Sequence, residues 1–253
     1  MKLKSLVLLL VFANVASAQQ WFRSGQNADL MLSGVDFNNT GGPLLFNHPS
    51  GIASDGTHFL LCDRFNNRVL IWNALPTKWD ALPDLVLGQE NFITNNTGAS
   101  RSGLSFPGNV SVSANGVVTV ADEVAVWNTL PLNGEAPSYI LTNRLGSMPL
   151  QNLRGVALDG NYFYLAGENG TLGIWRSLPA TSNDEPFAKL TIANTPLNHL
   201  HSDGTYLCVA AQSAQPAIYI YRVADIVQGN TVQPFKTIDR LSHLPLNQSA
   251  SAS

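Results

Sequence analysis

The segment "RVLIWNALP", residues 68–76, combines four apolar residues ending in tryptophan with a proline four positions later. The pattern returns as "VAVWNTLP" at 124–131, as "LGIWRSLP" at 172–179 and, without the proline, as "IYIY" at 218–221. The aromatic residues that end these runs are separated by 55, 48 and 46 residues. They are Trp72, Trp127, Trp175 and Tyr221. This spacing indicates four copies of one structural unit.

Each copy contains further shared segments. Upstream of the aromatic residue lie "SDGTHFLLCD" at 54, "SANGVVTVAD" at 113, "LDGNYFYLAG" at 158 and "SDGTYLCVAA" at 202, each with an Asp-Gly or Asn-Gly hairpin signal. With one apolar stretch before each turn and another after the aromatic residue, every copy offers four short strands. Runs such as "FLLC" and "VLIW" are apolar at every position, so their strands must be covered on both faces. Four such strands in about 45 residues are typical of a β-propeller blade.

We therefore predict an all-β propeller of four four-stranded blades. The propeller domain spans 19–239, with blades at about 44–92, 105–143, 152–194 and 198–239. The four aromatic residues are expected to widen each blade at its outer end.

The N-terminal and C-terminal segments of the predicted propeller do not combine into a complete blade. "ADLMLSGVDF", 28–37, aligns with "PDLVLGQENF", 83–92, and predicts an extra N-terminal outer strand. Strands that would complete its blade are missing, and 240–253 reads as a tail or as the start of a missing blade. We expect an open or incomplete ring; a closed ring of four blades and a fragment of a longer protein remain alternatives.

The first residues predict export. Lys2 and Lys4 precede an apolar run, and the small residues Ala16, Ser17 and Ala18 follow it. This is the pattern of a secretory signal peptide over 1–18. The run is too short to span a bilayer, which takes about 20 residues. We expect a secreted or periplasmic protein with no membrane span.

Composition excludes one class of partner. Charged residues make up 12% of the chain, the formal net charge is −3, and no cluster of Lys and Arg occurs. A nucleic-acid partner requires a basic surface that can contact phosphates. We therefore expect no nucleic acid among the partners.

The first repeat also resembles a known family. "FNHPSGIA" at 46–53, "DRFNNRV" at 63–69 and "LGQ" at 87–89 are similar to the motifs of NHL-repeat propellers, which are common among exported bacterial proteins. The matching positions are Pro49, Gly51, Asp63, Asn67 (or its neighbour Asn66) and Arg68. The later repeats match weakly, since 122–127 has lost the asparagines of the hairpin. The resemblance implies a fold but no particular activity.

Two histidines are candidate ligands for a metal ion. His199 and His201 stand two apart in "NHLHSDG" and would point to the same side of a strand, toward the channel that innermost strands line. Zinc would need further ligands, for which His48 and His243 are candidates. The metal site stays open, and we expect no cofactor.

Other chemistry is sparse. The chain has no G-x-S-x-G and no H-E-x-x-H motif, and Asp184 and Glu185 adjoin each other in a loop, which does not favour an acid–base pair. Cys62 and Cys208 lie in apolar strands and could be free thiols or a disulfide. Few ionisable residues lie on the predicted innermost strands, which argues against an enzyme.

The first functional hypothesis is an exported, non-catalytic scaffold that binds a protein or a polysaccharide through its loops, where propellers usually place specificity. It includes self-association through an open blade edge, because exposed apolar faces seek partners. The alternative is a metal-dependent hydrolase or lyase with its site in the channel, as in propeller lactonases and an NHL-type amidating lyase.

Overall fold

A computed structural model of the chain describes residues 26–32, 43–98, 103–121, 123–167, 169–192, 196–212, 217–228 and 233–239. The signal peptide predicted at 1–18 and the tail predicted at 240–253 lie outside these residues. Two compact units are distinguished, one of 30–241 and one of the terminal segments 1–29 and 242–253. Of the terminal unit only 26–29 is described, where Gln26 Nε2 donates to Asp29 Oδ2 (3.3 Å). Among all the residues described, no helix has the length and apolar character to cross a membrane.

The unit 30–241 is built almost entirely of strands. Blade 1 contains β1 (Pro49–Ser54), β2 (Phe59–Asp63), β3 (Arg68–Trp72) and β4 (Leu85–Leu87). Blade 2 contains β5 (Asn109–Ser113), β6 (Gly116–Val120), β7 (Glu123–Trp127) and β8 (Tyr139–Thr142), and a hairpin of β9 (Arg144–Leu145) and β10 (Met148–Pro149) follows it. Blade 3 contains β11 (Gly155–Leu158), β12 (Phe163–Ala166), β13 (Thr171–Trp175) and β14 (Ala188–Thr191). Blade 4 contains β15 (Leu197–Ser202), β16 (Tyr206–Ala211), β17 (Ala217–Arg222) and β18 (Lys236–Ile238), with the one-turn helix α1 (Val223–Ile226) after β17.

Within every blade the strands pair in chain order, each antiparallel to the next. Short turns suffice for this order, because antiparallel neighbours need no crossover. The four sheets are arranged as a four-bladed β-propeller, so the predicted fold class is confirmed.

The turns between the first two strands share one geometry in blades 1, 3 and 4. Gly56, Gly160 and Gly204 have φ of 91°, 88° and 82°, a region that suits glycine. The aspartate before each glycine accepts hydrogen bonds from the two backbone N–H groups that follow the glycine, as Asp159 Oδ1 does from Asn161 (3.0 Å) and Tyr162 (2.8 Å). These aspartates therefore shape turns, and their Asx geometry explains why the Asp-Gly signal recurs.

The four aromatic residues occupy equivalent places. Each lies at the end of the third strand of its blade, as the last residue or, for Tyr221, the last but one, and pairs with the first or second residue of the second strand. The pairs are Trp72 with Phe59, Trp127 with Val117, Trp175 with Phe163 and Tyr221 with Leu207. The indole Nε1 groups donate to carbonyls of the following loops, at Ala81 (2.9 Å), Glu135 (3.0 Å) and Asp184 (2.9 Å). Each tryptophan thus anchors the loop that leads to the outermost strand of its own blade.

Hydrophobic clusters join neighbouring blades. One cluster joins blades 1 and 2 and contains Trp127, a second joins blades 2 and 3 and contains Trp175, and a third joins blades 3 and 4 and contains Tyr221. Each of these three aromatic side chains therefore packs against the preceding blade. In the described part of the chain, no cluster of this kind joins blade 4 to blade 1. That further blades are missing stays a prediction.

Trp72, in blade 1, is covered by other segments of the chain. Its cluster includes Leu61 and Val86, with Leu32, Leu44, Phe46 and Phe92 packed against them. The described part of the predicted N-terminal strand, 28–32, is not a strand. The similarity of 28–37 to 83–92 predicts an apolar strand. In the structure, Leu32 packs its side chain into this cluster, and the described residues 28–32 do not pair with a sheet. Residues 33–37 lie outside the description.

A buried ion pair fixes the β2–β3 hairpin of blade 1. Both Arg68 Nε and Nη2 lie 2.8 Å from Asp63 Oδ2, and neither side chain is exposed. Asn66 Nδ2 also donates to this oxygen (2.8 Å), and the Asn47 N–H donates to Asp63 Oδ1 (2.6 Å). Removing one partner of such a pair typically costs about 3–5 kcal/mol, because the other charge is left buried and uncompensated.

Asn67 completes this hairpin. Its φ of 53° lies in the left-handed region that asparagine tolerates, at the end of a 3-10 turn over Arg64–Asn66. Its Nδ2 donates to the Asn95 carbonyl (2.9 Å), and its Oδ1 accepts from the Phe106 N–H (3.0 Å). The asparagine therefore links blade 1 to the segment that leads into blade 2.

Candidate functional site

The innermost strands meet around the channel at equivalent positions. Strand register aligns Asn109, Gly155 and His199 of blades 2, 3 and 4, and Gly51 of blade 1, in the bulge of β1, lies beside Asn109. Asn109 and His199 belong to opposite blades, and Asn109 Nδ2 lies 3.2 Å from His199 Nδ1. A side-chain hydrogen bond therefore crosses the channel at this level.

Neighbouring bonds determine which atom donates. Asn109 Nδ2 also lies 3.2 Å from the Arg154 carbonyl, which can only accept, and Asn109 Oδ1 accepts from the Val110 N–H (2.8 Å). The amide nitrogen must therefore face His199, whose Nδ1 is the acceptor. It follows that His199 is neutral here and carries its proton on Nε2.

Glycine at the flanking position makes room for this bond. A Cβ at Gly51 would lie 2.6 Å from Asn109 Cα and 2.8 Å from Asn109 Oδ1. Any other residue at this position of blade 1 would have to push blade 2 away.

The hydrogen bond separates two cavities, both of which His199 lines. The first, here called the mouth cavity, has a volume of about 350 Å³ and lies at the end of the channel where the innermost strands begin. Its polar lining comes from all four blades or the segments before them, and includes Ser50, Arg64, Glu123, Asn152, Arg154, Asn198 and His199.

Two polar atoms at the mouth cavity are buried without a partner. Within the described residues, Arg64 Nε and Asn198 Oδ1 have no hydrogen bond. Ion pairs in the same residues join His58 to Asp55 and Arg68 to Asp63, so neither Arg64 nor Arg154 has one. Buried polar groups are normally satisfied, so these two atoms leave hydrogen-bonding capacity unused in side chains that line this cavity.

Aromatic side chains form the rim of the mouth cavity. Phe106 lines it and is 46% exposed, and the Phe65 ring meets Phe106 edge to face at 5.8 Å. Phe106 has φ of 51°, a strained conformation for a bulky residue, held by the bond from its N–H to Asn67. Strain of this kind often marks functional sites, and no local sequence signal predicted it.

The second cavity, here called the wedge cavity, has a volume of about 670 Å³ and is mainly apolar. Blade 1 contributes Ile52 and Phe59 to it, and blade 4 contributes His201, Cys208 and Ile218. Both cysteines are free, so the open question of a disulfide is answered in favour of thiols. Burial raises the pKa of the Cys62 thiol to about 12.

The candidate metal ligands lie on one face of β15, where His199 and His201 both line the wedge cavity. Within the described residues, no group of three or more His, Cys, Asp and Glu side chains could hold a metal ion. His48 instead stacks on Phe65 at 4.2 Å, and His243 lies outside the description. No third ligand is identified for the histidine pair.

The adjacent carboxylates at 184 and 185 have separate structural roles. A hydrogen bond from the Thr181 hydroxyl, with two more from backbone N–H groups, lowers the pKa of Asp184. Glu185 accepts from the Ser147 hydroxyl (2.8 Å), which chiefly lowers its pKa. Both therefore stay ionised and do not form an acid–base pair.

Comparisons with known proteins assign neither a family nor a function to this chain. Neither protein-family models nor curated proteins give a match. Among solved structures, the computationally designed Ika8 protein is similar at 11% identity and a TM-score of 0.42. The alignment covers 77% of this chain and 48% of that protein, so the chain spans about half of its length. No family is shown. The likeness is too distant to support a conclusion about function.

The bond between Asn109 and His199 predicts a pH dependence of stability. Burial, and next the charge of Arg154, lowers the pKa of His199 below its ordinary value, which is about 6.5 in an unfolded chain. As the pH falls, the unfolded state therefore takes up the proton first. The free energy of unfolding should be fully retained above about pH 7 and should decline as the pH falls through 6.5.

Urea unfolding between about pH 8 and pH 5 measures this decline. His199→Gln should make it shallower than in the parent chain, whereas His201→Gln, two positions along the same strand face, is the matched control and should retain it. An equal decline in the parent and in His199→Gln would contradict this assignment.

Proposed function

We propose that this chain is an exported, non-catalytic propeller that binds a polysaccharide or a protein through the loops around its mouth cavity. The observation that carries the proposal is the combination, at one cavity, of exposed aromatic rings with two arginines that form no ion pair in the described part of the chain, although Arg154 Nη1 donates to Gln212 Oε1 (3.4 Å). Phe65 and Phe106 offer apolar surface, and Arg64 and Arg154 offer hydrogen-bond donors. Binding sites combine these features, since apolar contact supplies affinity and a few polar groups fix orientation.

The type of propeller belongs to the same proposal. In NHL-type motifs the aspartate, asparagine and arginine of the hairpin recur, and here Asp63, Asn66 and Arg68 form one buried network. This network supports an NHL-like first blade. Export rests on the signal pattern at 1–18, and a secreted or periplasmic location follows from it.

The binding proposal is tested by affinity electrophoresis of the purified protein in gels that contain bacterial or plant polysaccharides. We expect at least one polysaccharide to retard the protein and to be recovered without release of soluble sugar. Phe106→Ala should reduce the retardation. Phe235→Ala, which removes an exposed ring that does not line the mouth cavity, is the matched control.

Two results would count against the proposal. If the polysaccharide retards Phe106→Ala as strongly as the parent chain, binding takes place outside the mouth cavity. Release of soluble sugar that a metal chelator abolishes would support the alternative, a metal-dependent hydrolase or lyase.

We also propose self-association through the face of blade 4 that lines the wedge cavity. In blade 1 the corresponding face consists of Leu60, Cys62, Val69 and Ile71, which blade 2 buries completely. In blade 4 the equivalent positions hold Cys208, Ala210, Ile218 and Ile220, which are partly exposed, Ile218 by 42%. A second copy that covers this face would bury the same kind of surface as an interblade contact.

Sedimentation velocity over a range of protein concentrations tests the self-association. The parent chain should shift from monomer to dimer as its concentration rises. Ile218→Asp should remain monomeric, because a charge would be buried in the contact, and Ile93→Asp, at an exposed loop position, should dimerise like the parent. A parent chain that stays monomeric at every concentration would rule out this interface.

A further inference from the structure

We propose that the ligand of the mouth cavity is an acidic sugar, a uronate residue of a polysaccharide, whose carboxylate is bound by Arg64 and Arg154. This inference rests on the proposed binding function and names the substrate class of that site. Four observations, concerning charge, unsatisfied polar atoms, aromatic surface and volume, carry it.

The charges at the cavity favour an anion. Arg64 and Arg154 both line it, and in the described residues neither is neutralised by an ion pair. Glu123 is the carboxylate that lines the same cavity. Among the described residues, two guanidinium groups against one carboxylate give the lining a net positive charge. Guanidinium groups suit a carboxylate because their planar donors can bind both of its oxygens.

The unsatisfied atoms favour a ligand with hydroxyl groups as well. Arg64 Nε needs an acceptor, and Asn198 Oδ1 needs a donor. A simple anion such as phosphate at neutral pH would supply acceptors for the arginine but would serve the asparagine oxygen poorly. Sugar hydroxyls both donate and accept, so one ring could supply the donor that Asn198 Oδ1 lacks and an acceptor for Arg64 Nε. The mixed lining therefore fits a sugar acid better than a bare anion.

The rim supplies an apolar surface for the ring. Phe106 is exposed and lines the cavity, and Phe65 supports it edge to face. The C–H groups of a pyranose form an apolar face that can contact a phenyl ring. Asn67 holds Phe106 at positive φ, so the ring is positioned before a ligand arrives, which reduces the ordering cost of binding.

The volume limits how much of a polysaccharide enters. At about 350 Å³ the cavity lies at the lower end of the range for small-molecule sites. Below it, the bond between Asn109 and His199 crosses the channel. One terminal sugar residue fits this arrangement, with the remainder of the polysaccharide in solvent.

Isothermal titration calorimetry of the full chain tests the inference with defined probes. Methyl glucuronoside should bind at least about tenfold more tightly than methyl glucoside, which lacks the carboxylate; a tenfold ratio corresponds to about 1.4 kcal/mol. Arg64→Gln and Arg154→Gln should each reduce this preference severalfold or more. Arg144→Gln, at the exposed residue of strand β9, is the matched control and should leave the preference unchanged.

Each other outcome overturns the inference in a distinguishable way. Equal binding of glucoside and glucuronoside would remove the acidic specificity while leaving the proposed sugar binding intact. Equal binding of inorganic phosphate would indicate a simple anion site, and tighter binding of an acidic peptide would indicate a protein ligand. Binding unaffected by Arg64→Gln and Arg154→Gln, with both variants folded by near-ultraviolet circular dichroism, would place the sugar elsewhere. No binding of either glycoside, together with no polysaccharide retardation, would remove the proposed function as well.

Discussion

Burial of both faces of a blade is the constraint on which the rest of this structure depends. The central strands of blades 1 to 3 are apolar at nearly every position, so a single sheet would leave one whole face in water. Packing each face against the next blade removes that cost. A stack of sheets turns around an axis only if it is wider outside than inside, and Trp127, Trp175 and Tyr221 supply this width from the outer end of each third strand.

Much of the fold could be predicted because its signals are local. The hairpin turns depend on an aspartate or asparagine and the glycine after it, and the doubly buried strands depend on composition alone. The hairpin of β9 and β10 was missed, since strands of two residues leave no periodicity. Its Met148 belongs to the cluster between blades 2 and 3. The strand predicted at 28–37 is not formed over its described part, 28–32, where Leu32 packs its side chain against the cluster around Trp72.

The candidate site could not be predicted in the same way. Arg64 and Arg154 belong to blades 1 and 3, and only the closure of strands around the channel brings them to one cavity. The sequence suggests His199, together with His201, as a candidate metal ligand. The structure instead gives it a hydrogen bond to Asn109, 90 residues earlier in the chain. Phe106 at positive φ is likewise imposed by a tertiary contact with Asn67 and has no local signature.

Distances between the four equivalent turns test the central claim most directly. Spin labels at pairs of positions 57, 115, 161 and 205, in a chain with Cys62→Ala and Cys208→Ser, allow these distances to be measured by double electron–electron resonance. Blades around an axis predict that the opposite pairs, 57 with 161 and 115 with 205, are the farthest apart, and that 57 with 205 is shorter than either. Distances that grow steadily along the chain, with 57 and 205 the farthest apart, would contradict the propeller.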